Sequence, residues 1–263
     1  MIIWKARVGE IPGASPLGFA SGCFAKLEVV RTAQVPGRNL ESMSLLFVVS
    51  IFAIFSSLGL IGYIWFRPRM LAWGATPDEV NSAIVGDEMI PRPVLRSTRS
   101  MSIRTSPARV WPWLAQMGQG RGGFYSYEFL ENLLGMDIHN ADQIKADLIS
   151  IKPGDSIPFW RGAGIKVWQV DPPSQLVLAG TLNQPLDKEG EDPTVGGTWV
   201  FILREIAQNE TRLIVRSRVA EFKPRWFCSL LMIVLEPLHF IMEQRMLIGI
   251  KARAERIPSQ WHG

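Results

Sequence analysis

The sequence TWVFILREIAQNETRLIVRSRVAE, residues 198–221, decides the fold class. Two runs rich in β-branched and aromatic residues, 198–206 and 212–221, flank the polar triplet at 208–210, which predicts a β-hairpin. In the second run, hydrophobic residues alternate with arginines: Leu213, Val215 and Val219 on one face, and Arg212, Arg216 and Arg218 on the other. Such alternation predicts an antiparallel strand with one face buried and the other in water.

The hairpin is followed by a long predicted helix, residues 225–256, which is bent near Pro237. Its second half is amphipathic. The apolar stripe of that half contains Leu235, Leu238, His239, Met242, Met246, Gly249 and Ile250. The first half, WFCSLLMIVL at 226–235, is apolar all round, but Glu236 interrupts it before the roughly 20 residues that a membrane span needs. We expect this half to pack against the sheet or to contact the membrane surface.

The segments before the hairpin complete an α+β pattern. The candidates are an extended stretch at 95–105, helices at 107–118 and 126–135, and short strands at 155–160, 165–170 and 175–179. The order is therefore one strand, two helices, a run of antiparallel strands and a long terminal helix. It predicts a curved antiparallel sheet that wraps around one helix.

An uncharged apolar segment extends from Met43 to Phe66. It is longer than the roughly 20 helical residues that cross a bilayer. Tyr63 and Trp65 lie near its end and Arg67 follows, as is typical of a membrane–water boundary. A cleaved signal peptide fits less well, because the run is too long and no small-residue cleavage motif precedes the arginine. The sequence predicts a single transmembrane helix.

Residues 1–42 show no helical or strand periodicity, which is typical of a disordered arm. Because Met43 would be a natural chain start, a second hypothesis is that residues 1–42 are an upstream mis-annotation. With a start at Met43, the positive-inside rule places the domain on the cytoplasmic side of the cell membrane. With the full chain the rule gives no orientation, because basic residues flank both ends: Arg31, Arg38, Arg67 and Arg69.

The predicted organisation has three further parts after the span. Residues 67–93 form a juxtamembrane linker with a short helix capped by Thr76, since Thr-Pro-Asp-Glu is a capping-box sequence. Residues 94–256 form the globular domain, and residues 257–263 form a tail. Two cysteines in the chain exclude a disulfide framework. A net charge of +4 without a basic run favours proximity to anionic lipid over nucleic acid, so no nucleic-acid partner is expected.

Four short sequences carry a family resemblance: WGAT at 73–76, VWPWL at 110–114, QMGQGRGGFYSY at 116–127 and DIHNAD at 137–142. Together with the order of elements, they resemble the START-like (SRPBCC) superfamily of polyketide cyclases/dehydrases and lipid-transfer domains, in particular its membrane-tethered members. The resemblance covers the chain from about residue 71 to its end. It implies a helix-grip fold, with a deep cavity between sheet and long helix that binds apolar molecules or lipids. Members include enzymes and carriers, so the fold does not fix the function.

The glycine-rich loop at 118–123 matches the dinucleotide fingerprint only by its letters. That fingerprint follows a strand, whereas this loop follows a predicted helix, so a tight loop is favoured and no cofactor is expected. The resemblance places the loop at the cavity rim. There Arg121 could bind a carboxylate or phosphate, and the aromatic residues Phe124, Tyr125 and Tyr127 could contact the ligand. Alternatively, Arg121 pairs with an aspartate of the 137–142 segment and the tyrosines pack.

The 137–142 segment contains the candidate catalytic residues His139 and Asp142, with Asn140 as a ligand contact. His139 is the best general acid–base candidate, because the unperturbed pKa of histidine is near neutral. The alternative is that the Asp and Asn side chains cap a turn. A metal site at Asp137, His139 and Asp142 would need a fourth ligand from elsewhere, and no metal is expected.

Other candidates lie in the sheet and the terminal helix. Trp168, Trp199, Met242 and Met246 are predicted to line the cavity, with core packing as the alternative. Glu236, His239 and Glu243 fall within reach of one another on the terminal helix. Glu236-x-x-His239 resembles half of a di-iron motif, but a second copy and two further glutamates are not visible. A buried His–Glu pair is therefore favoured on this helix.

The sequence favours a module that binds or carries a hydrophobic small molecule or lipid in an internal cavity. The first alternative is a cyclase/dehydratase-type enzyme. In it His139 and Asp142 would transfer protons, and Arg121 or Tyr125 would stabilise an oxyanion. The second alternative is a membrane-bound interaction scaffold with a filled core.

Overall fold

The computed structural model describes residues 38–160, 163–180 and 196–256, with side chains from residue 45 onward. The helices are α1 (Arg38–Leu71), α2 (Pro77–Asn81), α3 (Pro107–Ala115), α4 (Glu128–Leu133) and α5 (Arg225–Ala254). The strands are β1 (Leu95–Ile103), β2 (Ser156–Trp160), β3 (Ala163–Asp171), β4 (Gln175–Gly180), β5 (Gly197–Ala207) and β6 (Glu210–Val219). Helix α1 begins within the predicted arm at 1–42; the rest of that arm, and the predicted tail, lie outside the described residues.

The strands form one antiparallel sheet in the order β1-β6-β5-β4-β3-β2. The predicted hairpin is confirmed as β5 and β6, which pair from Gly197 opposite Val219 to Ala207 opposite Glu210. Asn209 forms the turn with a positive φ of 60°, a conformation that asparagine tolerates better than most residues. Strand β1 pairs with the other edge of β6, so the first and last strands along the chain are neighbours in the sheet.

Helix α5 packs across one face of this sheet, which we call the concave face, and the predicted α+β helix-grip fold is confirmed. The buried residues of α5 recur at helical spacing, from Cys228 and Met232 to Ile250 and Ala254. Gly249 explains how closely the helix approaches the glycine-rich region. A Cβ atom at this position would lie 2.3 Å from the carbonyl oxygen of Tyr125.

The arginine face of β6 is not in water, and this part of the prediction is wrong. Arg216 is 1% exposed and Arg218 is 8% exposed. The segment that contains α2 and a 3₁₀ helix (Asp87–Met89) covers this convex face, and Asp87 pairs with both arginines at 2.7 Å. Alternation shows which side chains share a face, but a carboxylate distant in the sequence decides whether that face is buried.

Two helices are long and apolar enough to cross a membrane, over Leu45–Leu71 and Arg225–Ala254. The apolar side chains of α1 are exposed over most of its length. The first half of α5 is apolar on all sides but only partly buried. Cys228 and Met232 face the interior, whereas the opposite side exposes Trp226, Leu230, Ile233 and Val234.

Candidate functional site

The glycine-rich loop is a tight turn between α3 and α4. Gly118, Gly120 and Gly123 all have positive φ, and the amide of Gly123 donates to the carbonyl of Gly118 at 3.0 Å. A Cβ atom on Gly123 would lie 2.5 Å from Oδ1 of Asn140. The glycine therefore allows the loop to contact the 137–142 segment directly.

Asn140 joins these two segments. Its Oδ1 accepts a hydrogen bond from the amide of Tyr125 at 2.5 Å, and its Nδ2 donates to the carbonyl of Ser126 at 3.1 Å. Its own amide donates to Oε1 of Glu128. Through these three hydrogen bonds, Asn140 connects the 137–142 segment to the residues that follow the glycine-rich loop.

Tyr125 is buried rather than placed at a rim. Its hydroxyl donates to the carbonyl of Trp113 at 3.0 Å and accepts from Nε2 of Gln116 at 3.0 Å. Burial raises the pKa of this phenol, so Tyr125 stays protonated at neutral pH. Its φ of 57° is unusual for a tyrosine and is maintained by the Asn140 contact.

Arg121 binds neither Asp137 nor Asp142 in this structure. Its guanidinium donates instead to three backbone carbonyls, those of Met117, Ala115 and Leu148, at 2.8–3.0 Å. Burial lowers the pKa of Arg121. The side chain therefore holds three segments together, an arrangement that neither sequence interpretation included.

The structure does not bring His139 and Asp142 into a common site. The His139 side chain is 78% exposed, and its Nε2 lies 3.2 Å from Oδ1 of Asp137. Asp142 is also exposed and accepts a hydrogen bond from Arg253 at 3.0 Å. General acid–base catalysis benefits from a water-excluded site, and these two side chains lie in solvent.

A cleft of about 390 Å³ lies beside α4 and the end of α5. Its lining consists of Tyr125, Ser126, Tyr127, Glu128, Phe129, Asn140, Asp142, Arg245 and Arg253. The structure thus brings four predicted residues to one place. Tyr127 and Phe129 are 43% and 75% exposed, so the cleft opens to solvent. It does not lie between the sheet and α5.

The interior of the sheet–helix layer contains a polar group that the sequence analysis missed. We call it the interior polar cluster and define it as Arg99, Trp199, Ser217, His239 and Glu243. Arg99, which is 0% exposed, pairs with Glu243, which is 2% exposed. Nε1 of Trp199 and Oγ of Ser217 donate to Oε1 of Glu243 at 2.8 and 3.0 Å.

His239 and a backbone carbonyl complete the contacts of Arg99. Nδ1 of His239 lies 3.1 Å from Nη1 of Arg99, and Nε2 lies 3.6 Å from Oε1 of Glu243. Nε of Arg99 donates to the carbonyl of Met70 at the end of α1. The predicted His–Glu pair is therefore part of a larger cluster. Alternation along β1 places Arg99 on the same face as Leu95 and Ile103, which was the signal available in the sequence.

Aromatic rings lie beside this cluster. The ring centroid of Trp199 is 4.8 Å from that of Phe201 and 6.2 Å from that of Phe124, and Phe124 is 5.3 Å from Phe159. The structure thus brings together Phe124 and Trp199, two of the predicted ligand contacts. Phe124 itself is buried in the core.

The remaining predicted contacts are spread over the domain. Met246 is 1% exposed and belongs to the core. Met242 is half-buried, and its carbonyl accepts a hydrogen bond from Ser126. Trp168 on β3 is 53% exposed, so it does not line an interior space here. Among the residues described, no group of three or more His, Cys, Asp and Glu side chains is arranged to hold a metal ion.

No protein-family model matches the chain, and no curated protein is significantly similar to it. Three similar solved structures are protein MLL2253 from Mesorhizobium loti, CalU16 from Micromonospora echinospora and the Aha1 dimer from Colwellia psychrerythraea. Their identities are 13%, 14% and 16%, and their TM-scores are 0.34, 0.28 and 0.29. The matches cover 62%, 61% and 59% of this chain and 98%, 83% and 98% of the other chains. At these scores they add nothing to what the strand order and α5 establish.

Proposed function

We propose that this protein is a membrane-anchored module that binds a hydrophobic small molecule between the concave face of the sheet and α5. The interior polar cluster is the observation that carries the proposal. Burying an ion pair costs free energy that apolar side chains of similar volume would not cost. A few oriented polar groups beside apolar and aromatic side chains are, however, what a small-molecule site uses to orient its ligand.

Two exposed apolar surfaces support the membrane anchor. The first is the uncharged segment of α1, and the second is the first half of α5. The second surface belongs to the folded domain itself, where large apolar side chains would otherwise stay in water. Tyr63 and Arg67 connect the two helices. Both donate hydrogen bonds of 2.6 Å to Oε2 of Glu236.

Ligand content tests the proposal directly. The full chain is extracted from membranes in detergent, purified, and denatured in solvent to release any bound small molecule for mass spectrometry. The same preparation is then delipidated and titrated with a fluorescent polycyclic probe. We expect about one molecule per chain in either measurement. The matched control is Trp168→Ala, which removes an exposed tryptophan and leaves binding unchanged.

Folded protein that releases no small molecule and takes up no probe contradicts the proposal and favours the scaffold alternative. Circular dichroism of the same sample establishes that the protein is folded. Among the described residues, no observation favours the enzyme alternative. Its two acid–base candidates, His139 and Asp142, are exposed and bind different partners.

A further inference from the structure

Two buried polar atoms of β1 lie beside the interior polar cluster without a hydrogen-bond partner among the described residues: Oγ of Ser97 and Nη2 of Arg99. Ser97 is 1% exposed and Arg99 is 0% exposed. Residues two apart on a strand face the same side, so Ser97 shares the concave face from which Arg99 reaches Glu243. In the sheet register, Ser97 lies opposite Ser217, and Ser217 lies opposite Trp199.

Leaving these atoms unpaired is unfavourable. A buried donor without a partner loses the hydrogen bond that it makes with water in the unfolded chain, and native proteins contain few such donors. Ser97 and Arg99 are two positions apart on one strand face, and the nearby Glu243 carboxylate already binds Arg99, Trp199 and Ser217. This placement indicates a site where a hydrogen-bond acceptor from outside the chain is received.

The charge of the cluster restricts what that acceptor is. Arg99 is already balanced by Glu243, and the two side chains are in direct contact. A carboxylate or phosphate at Nη2 would therefore bring a second negative charge into a buried region, and an uncompensated buried charge is expensive. A neutral oxygen accepts the same hydrogen bond without that cost.

From these contacts we infer that the site takes an apolar molecule with a neutral carbonyl oxygen, such as a ketone, quinone or ester. Nη2 of Arg99 and Oγ of Ser97 donate to that oxygen, and the rings of Trp199 and Phe124 lie beside the apolar body. This inference rests on the proposed function. It names the chemical class of the ligand and the two atoms that recognise it.

Three probes that differ in one group test the inference: 2-acetylanthracene, 2-ethylanthracene and anthracene-2-carboxylate. Each is titrated into the delipidated full chain in detergent at pH 8 and followed by fluorescence. We expect the ketone to bind about tenfold more tightly than the ethyl compound, because both donors can hydrogen-bond its carbonyl oxygen and neither can bind an ethyl group. We expect the carboxylate to bind more weakly than the ketone.

Ser97→Ala and Arg99→Gln assign the preference to their atoms. Each should reduce the ketone-to-ethyl affinity ratio to about 1–3, while the affinity for 2-ethylanthracene stays unchanged. Ser97→Ala keeps the test decisive if Arg99→Gln does not fold, because it leaves the Arg99–Glu243 pair intact. Ser102→Ala, on the other face of β1, is the control.

The outcomes separate the inference from the proposed function. Equal binding of ketone and ethyl compound, tighter binding of the carboxylate, or an unchanged ratio in Ser97→Ala overturns the inference but leaves a hydrophobic binding module. If none of the three probes binds to folded protein, both the proposed function and the inference fail.

Discussion

Glu131 is a buried carboxylic acid that forms no ion pair among the described residues. It is 3% exposed on α4, and its Oε2 has no partner among the described residues. Burial, and then the nearby charge of Glu128, raise its pKa from 4.5 to about 7. Between pH 4.5 and 7, the Glu131 carboxyl group therefore keeps a proton in the folded state that it has released in the unfolded state.

The sign of the pH effect follows from this difference. Between pH 4.5 and 7, the unfolded chain binds fewer protons at this site than the folded chain, so the free energy of unfolding falls as pH rises. We expect Glu131→Gln to remove this decrease and to be more stable than the wild type at pH 8. The gain should be roughly 2 kcal/mol after allowance for solvent screening.

Urea unfolding of the full chain in detergent at pH 4.5, 6 and 8 measures the effect. Glu205→Gln, at an exposed position on β5, is the control and should change stability equally at each pH. A wild-type stability that rises between pH 4.5 and 7, with Glu131→Gln following it in parallel, would show that this carboxyl group ionises normally.

At the same scale, the sequence identified residue types but not their partners. Histidine is a residue type suited to acid–base catalysis, yet the side chain of His139 lies in solvent. Arg121 could bind an anion by its chemistry, yet its guanidinium donates to three backbone carbonyls. Both outcomes depend on loop geometry, which periodicity does not encode. Asn140 and Tyr125 were each predicted as ligand contacts; in the structure they contact one another, and Tyr125 is part of the core.

At the level of elements, one buried and one exposed ion pair of α5 allow a direct comparison. Glu236 is buried and accepts from Arg67 and Tyr63 of α1, whereas Glu221 forms an exposed pair with Arg225 at the helix start. Removing one partner of a buried pair leaves an unpaired charge, but an exposed pair contributes about 0–1 kcal/mol. We expect Glu236→Gln to lower the free energy of unfolding by about 2 kcal/mol, because it leaves Arg67 unpaired, and Glu221→Gln to lower it by less than about 0.5 kcal/mol.

Thermal unfolding followed by circular dichroism in detergent measures both variants. For a domain of this size, a loss of about 2 kcal/mol lowers the Tm by about 4–8 °C. Equal melting temperatures for the two variants would mean that Glu236 does not stabilise the junction of α1 and α5. A double variant, Arg67→Met with Glu236→Leu, should recover most of the loss, because no unpaired charge remains.

Secondary-structure elements were predicted best where a regular hydrophobic pattern continued over many residues. The β5–β6 hairpin and α5 follow from alternation and helical spacing, and both are confirmed. The role of the β6 arginines was predicted wrongly, because Asp87 is distant in sequence and no local pattern links it to them. The interior polar cluster was missed for the same reason, since β1, β5, β6 and α5 each contribute to it.

At the scale of the whole molecule, the exposed apolar side of α5 remains to be accounted for. Hydrogen bonds from Tyr63 and Arg67 to Glu236 bring α1 and α5 together, and the ring of Phe66 packs on that of Phe240, 6.2 Å between centroids. The stretch of α5 before Glu236 leaves Trp226, Leu230, Ile233 and Val234 exposed.

We expect both helices to contact lipid, because each exposes large apolar side chains. Trp226 is 70% exposed and Leu230 is 58% exposed, and about 25 cal/mol for each Å² of apolar surface is gained when such side chains leave water. We expect a nitroxide spin label at Leu230→Cys or Val234→Cys in liposomes to be accessible to oxygen but protected from a water-soluble nickel chelate. Asp171→Cys, on the exposed end of β3, should show the reverse. If the label at Leu230 is as accessible to the nickel chelate as the label at Asp171, then α5 lies outside the bilayer and α1 alone is the anchor.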